Sequence, residues 1–127
     1  VIGGKEITDF MEEQAIIDML TYNQLKELMG ADFIIELIDT YNAETEEIIE
    51  QLRQALSSGD ASAFGRYAHS IKSSSASLGA LVFSQQAREL EMMGKANDLA
   101  GADERVAKLA ADFAQVKQCL EGLKNGS

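Results

Sequence analysis

Apolar residues along most of this chain recur three and four positions apart, the spacing that lines one face of an α-helix. The longest such stripe is Ile34, Ile38, Tyr41, Thr45, Ile48, Leu52 and Ala55. It predicts a helix from about Asp32 to Ser57, with Glu36, Glu44, Glu47 and Glu50 on a solvated far side. Gly59 ends it, and Asp60 caps the next helix by accepting backbone N–H bonds. That helix runs from Ala61 to about Leu78 and stops at Gly79; its stripe is Phe64, Ala68 or Tyr67, Ile71, Ser75 and Leu78. A further helix spans Leu81 to Ala96, with Phe83, Ala87, Leu90 and Gly94 in line. The last begins with Asp98 as its cap and carries Leu99, Ala102, Val106, Leu109, Phe113, Val116, Leu120 and Leu123. Gly101 slightly weakens its first turn.

Upstream, Gly3 and Gly4 mark a loose segment over residues 1–6. A short helix follows from Asp9 to Leu20, with Ile7, Phe10, Met11, Ile16, Ile17 and Leu20 as its apolar surface. Thr21 reads as an N-cap, Gln24 completes a capping box, and the brief helix they open stops at Gly30 as a left-handed C-cap. Residues 1–127 read as one domain of five or six helices, without repeats, long linkers or the strict alternation of a strand. Four long amphipathic helices joined by short turns bury their stripes only against one another. The expected fold is all-α: an antiparallel up-down-up-down four-helix bundle with one or two short extra N-terminal helices.

Composition agrees. The 127 residues include no proline to break a helix, and 46% are hydrophobic, which excludes wholesale disorder. Acidic residues outnumber basic ones 21 to 11, for a net charge of −10. Such a chain is a poor binder of nucleic acid or of an anionic membrane, both of which demand clustered Lys and Arg. No apolar run reaches the roughly 18 residues of a membrane helix. Cys119 is the one cysteine in the sequence, so no internal disulfide forms, and there is no zinc-ligand pattern; a reducing, cytoplasmic setting fits. Nothing at the N-terminus reads as a signal peptide, and the start at Val1 rather than Met suggests an excised or processed piece.

The candidate chemistry centres on His69, the single histidine. On a helix its surroundings are Ser62, Gly65, Arg66, Lys72, Ser73 and Ala76, while Phe64 and Ile71 point well away, so the imidazole faces outward. Four of these six neighbours are small and two are basic. Glycine at position 65 costs about 0.5–1 kcal/mol of helix stability relative to Ala, and a small-residue patch lets another macromolecule come close. Two cations in an acidic protein favour an anion there. One reading is that His69 carries a phosphoryl group: a neutral imidazole has a free lone pair near pH 7, and Lys72 balances the transferred charge. The plainer reading is a surface histidine with incidental neighbours, and the residues alone leave both open. In Ser73-Ser74-Ser75, local back-bonding and close helix packing suffice. A serine nucleophile is not expected, since the chain has no second histidine to complete a triad and no strand-turn-helix elbow.

The stretch Ala68-His69-Ser70-Ile71-Lys72-Ser73-Ser74-Ser75-Ala76-Ser77-Leu78-Gly79-Ala80 resembles the signature of histidine-containing phosphotransfer (HPt) domains. The flanks agree: Leu52-Arg53-Gln54-Ala55-Leu56 before Gly59-Asp60, and Leu90-Glu91 before Gly94 and Asp98. The likeness extends from about Leu20 to Leu123. It implies a phosphoaccepting role for His69, a basic partner in Lys72, and Glu91 as the residue that hydrogen-bonds and orients the imidazole from the adjacent helix. It implies receiver domains of response regulators as partners. The domain would be a carrier with no cofactor or ATP site of its own, and Mg²⁺ would come from the receiver. One departure is Ser73, where the family usually has Gly. The parent expected from the resemblance is a hybrid sensor kinase, with this piece a cytoplasmic monomer, even where that kinase is membrane-anchored. A helical adaptor that binds partners through the same face without phosphorylation is the alternative. A di-iron bundle fails, because Glu-x-x-His pairs need two histidines.

Overall fold

The computed structural model describes residues 16–125. Among them are five helices and no strand: α1 (Met19–Met29), α2 (Ala31–Ser58), α3 (Ala61–Leu78), α4 (Leu81–Lys95) and α5 (Ala102–Lys124). Helices α2 to α5 close a ring, each packed on its chain neighbours and α5 returning to α2, while α1 lies across α2 and α3. This is the expected four-helix bundle with a short additional helix.

The α3 boundaries follow directly from its ends. Asp60 Oδ1 accepts from Ala63 N–H at 3.0 Å, which satisfies an otherwise orphaned donor. At the other end Gly79 adopts φ +95°, and Ala80 N–H closes back to Ser75 O at 2.9 Å. Gly79 has a second constraint: a Cβ there would lie 2.7 Å from Asp18 O. Its carbonyl also accepts from Asp18 N–H at 2.7 Å, tying the start of α1 to the end of α3.

The expected helix from Asp9 to Leu20 lies outside the described residues as far as 15. Within them it does not continue, because Ile17 and Asp18 fall between helices. Asp18, rather than Thr21, is the N-cap of α1: its carboxylate accepts from Thr21 N–H at 3.1 Å and from the Thr21 hydroxyl. Gly30 has φ +93° but ψ 152°, so it is a one-residue corner between α1 and α2 and not a left-handed helical cap. In α2 the buried position is Ile49, with Ile48 at the margin. Asp98 does not cap α5. Its N–H closes the end of α4 on Met93 O at 3.0 Å, and the helix starts at Ala102, after Gly101 in the left-handed region.

The interior combines aliphatic side chains with one aromatic relay. Tyr41 of α2 meets Phe113 of α5 edge-on at 6.1 Å between ring centres, and Phe83 of α4 lies 5.8 Å from the same ring. The Tyr41 hydroxyl and Ser75 Oγ share a buried hydrogen bond of 2.6 Å, which removes the cost of two buried polar groups. Burial pushes the Tyr41 hydroxyl up to about 12. Ser75 therefore belongs to the core.

Candidate functional site

The site forms where α3 and α4 cross. Gly65 and Gly94 let the two backbones touch, since a Cβ on Gly94 would lie 2.7 Å from Gly65 Cα. One turn along α3 from this crossing stands His69; one turn back along α4 stands Glu91. The imidazole is 57% exposed and the Glu91 carboxylate only 6%. Glu91 lies on the same face of α4 as the core residues Ala87, Leu90 and Gly94, which carries its carboxylate inward beneath the ring.

That carboxylate has three cationic or polar partners. His69 Nδ1 lies 2.6 Å from Oε2, Lys72 Nζ donates to Oε1 at 2.7 Å, and Lys95 Nζ lies 3.5 Å from Oε2. The Lys72 hydrogen bond contributes most to holding the Glu91 carboxyl down at about 2, with the His69 bond and the charges of Lys72 and Lys95 adding to it against burial. Glu91 is thus ionised near neutrality and can only accept. The short contact then requires the proton on Nδ1, so a neutral His69 has its lone pair on Nε2, on the exposed edge.

Of the residues singled out in the sequence, Ser62 and Arg66 are exposed one to two turns before His69, with Arg66 donating to Ser62 Oγ at 3.3 Å. Together with Gly65, His69, Glu91 and Lys95 they line a groove between α3 and the end of α4. Gly65 is buried against Gly94 and is not an open approach for a partner. Ser73 is exposed and Ala76 half-buried on the other side of His69, away from this groove. Ser70, Ser74 and Ser77 bond back to carbonyls one turn earlier, at 3.3, 3.0 and 3.1 Å. Lys72 is not a free cation but is engaged with Glu91, its side chain 29% exposed.

Two members of the site were not singled out in the sequence. Lys95 follows Glu91 by one turn, a spacing that places both on one face. Ser84 Oγ donates to the Lys72 carbonyl at 2.8 Å and ties α4 to α3 beside the site. A buried serine seven residues before Glu91 shares its helix face, which was the available signal. Among the described residues no three His, Cys, Asp or Glu side chains gather as a metal site, and no helix is long and apolar enough to cross a membrane.

A helical bundle that holds one imidazole on an exposed face by a buried carboxylate has the architecture of a phosphoryl carrier. Residues 36–126 match the model of the Hpt domain, and the chain belongs to that family. Among solved structures it resembles histidine-containing phosphotransfer protein B (HptB) from Pseudomonas aeruginosa, with 28% identity and a TM-score of 0.82 over 88% of this chain and 96% of that one. The histidine-containing phosphotransfer protein MtHPt2 from Medicago truncatula, 22% identical, shares the fold with a TM-score of 0.76 over 94% of this chain and 84% of that one. No curated protein matches the sequence. The chain is a histidine phosphotransfer module of phosphorelay signalling, a family that works with response-regulator receiver domains.

Proposed function

We propose that His69 is the phosphoacceptor, that Glu91 orients it, and that Lys72 supplies positive charge to the site. The observation that carries this reading is the 2.6 Å contact of Nδ1 with a nearly buried carboxylate under an exposed ring. Nε2 attacks the phosphorus of a receiver's aspartyl phosphate in line. The N–P bond forms, the P–O bond to the aspartate breaks, and the electron pair leaves on the aspartate carboxylate. The proton on Nδ1 stays between ring and Glu91, where the carboxylate offsets the positive charge that develops on the imidazole. Transfer to a second receiver is the same step reversed.

Lys72 acts in two ways. It fixes the second oxygen of Glu91, and its charge lies one turn from the ring, where Arg66 and Lys95 add to the potential felt by an arriving phosphoryl group. The domain itself is a carrier without an ATP site. Mg²⁺ and the remaining transfer machinery belong to the receiver. A cytoplasmic monomer with no affinity for nucleic acid fits the net charge of −10. Ser73, in place of the family's usual Gly, narrows the approach one turn beyond His69.

The test is incubation with a receiver domain charged by acetyl phosphate. Acid-labile label appears on the wild-type chain and is abolished in His69→Gln, while the helical circular dichroism is unchanged. Undiminished labelling of that variant overturns the assignment, and binding of the receiver without labelling of the wild type favours a non-phosphorylated adaptor.

A further inference from the structure

We infer that Gly94 is a positioning residue for phosphotransfer, because the backbone contact it permits with Gly65 sets the separation of His69 and Glu91. The inference rests on the role proposed for His69, but its first readout does not.

The two glycines are not equivalent. A Cβ on Gly65 would meet Glu91 O and Gly94 Cα at 3.6 Å, an ordinary contact. A Cβ on Gly94 would lie 2.7 Å from both Gly65 Cα and Gly65 N and 2.8 Å from Ala61 O. All three are backbone atoms within a helix, with no flexible end to swing aside. An alanine at 94 therefore forces the helices apart by about 0.7 Å, the shortfall between 2.7 Å and a 3.4 Å contact. Gly94 is helical, and no positive φ calls for glycine there. Close approach is the demand that remains.

The separation matters because the two reacting-site partners face each other from adjacent helices on one side of the crossing, His69 four residues after Gly65 and Glu91 three residues before Gly94. Their hydrogen bond is short, 2.6 Å, and Glu91 is held from its other oxygen by Lys72. Ser84 Oγ on the Lys72 carbonyl fixes the helix register from the opposite side. With Glu91 pinned to α3 through Lys72, widening the crossing is taken up at the His69 bond. Loss of that bond frees the ring to exchange its proton between Nδ1 and Nε2, and the Nε2–H form has its lone pair on Nδ1, turned towards Glu91 and not towards the receiver.

Histidine ¹⁵N chemical shifts report the tautomer of His69 without any phosphoryl donor. In wild type and in Gly65→Ala they are expected to show the Nδ1–H form. In Gly94→Ala they are expected to show a tautomer mixture, with transfer from an acetyl-phosphate-charged receiver slowed about tenfold. In a Glu91→Ala background, Gly94→Ala is expected to change neither quantity further, although it still lowers the unfolding midpoint. An unchanged tautomer in folded Gly94→Ala, or an equal slowing in the Glu91→Ala background, overturns the inference. Should Gly94→Ala not fold, Gly65→Val decides by the same readouts, since its γ-methyl groups extend from a position already in contact. A shifted tautomer with unchanged labelling would instead overturn the role given to His69.

Discussion

Two seams of the bundle are built on opposite plans. Between α2 and α5 large side chains interlock, with Tyr41 against Phe113 and Ile49 beside it. Between α3 and α4 there is almost no side chain at the crossing, and backbone meets backbone at Gly65 and Gly94. The first plan gains stability from apolar area and tolerates small adjustments, with polar contacts such as Asn42 to Glu121 and Lys124 to Asp39 along its edge. The second gives up that area for a fixed distance and places a buried carboxylate beside it. A side chain can repack by rotating about its bonds; a helix backbone can only translate. Small residues therefore stand where atoms must be placed to within a fraction of an ångström.

The contrast separates stability from transfer, and substitutions test it from each side. Phe113→Ala removes the ring that joins Tyr41 and Phe83. It is expected to cost about 3–5 kcal/mol in urea unfolding while leaving transfer per folded molecule unchanged. Glu91→Ala is expected to slow transfer about tenfold and to leave Lys72 without its partner. The same carboxylate predicts an acid limb. Its folded value of about 2 lies below the ordinary 4.5, so its stabilisation is complete above about pH 4.5 and is lost as pH falls towards 2. Urea midpoints measured across that range should fall in wild type and stay flatter in Glu91→Gln. Lys72→Ala is expected to slow transfer about fivefold with helicity intact; unchanged kinetics would remove Lys72 from the mechanism. Tyr41→Phe removes one buried hydrogen bond to Ser75 and should cost about 1 kcal/mol with no change in transfer.

The long elements were legible because their signals agree. In α3, the Asp60 cap, the stripe ending at Leu78 and Gly79 mark the same helix that the structure contains. What escaped was contact between elements distant in sequence and competition between adjacent residues. Ile48 and Ile49 are equally apolar, and only the facing helices decide which enters the core. Apolar residues on both sides of Asp18 hid a break, since periodicity does not register a cap that opens a new helix from within an apolar stripe. Gly101 takes the left-handed turn and pushes the start of α5 beyond Asp98. At the site, the outward imidazole followed from the helix geometry of α3 alone. The family resemblance supplied Glu91. The Lys72 to Glu91 bond joins residues nineteen apart on different helices, and no local pattern reveals that this cation is already taken. Gly65 read as an opening for a partner because its neighbour across the crossing, Gly94, was invisible from α3.

The open edge of the imidazole has a consequence for direction. A phosphoryl group on Nε2 would project from the bundle with no lid over it among the described residues, tethered by one bond and equally accessible to whichever receiver arrives next. Such a carrier imposes no arrow on the traffic. The relative abundance of charged and empty receivers decides which way the current runs, and a surplus of empty ones drains the relay backwards as readily as forwards.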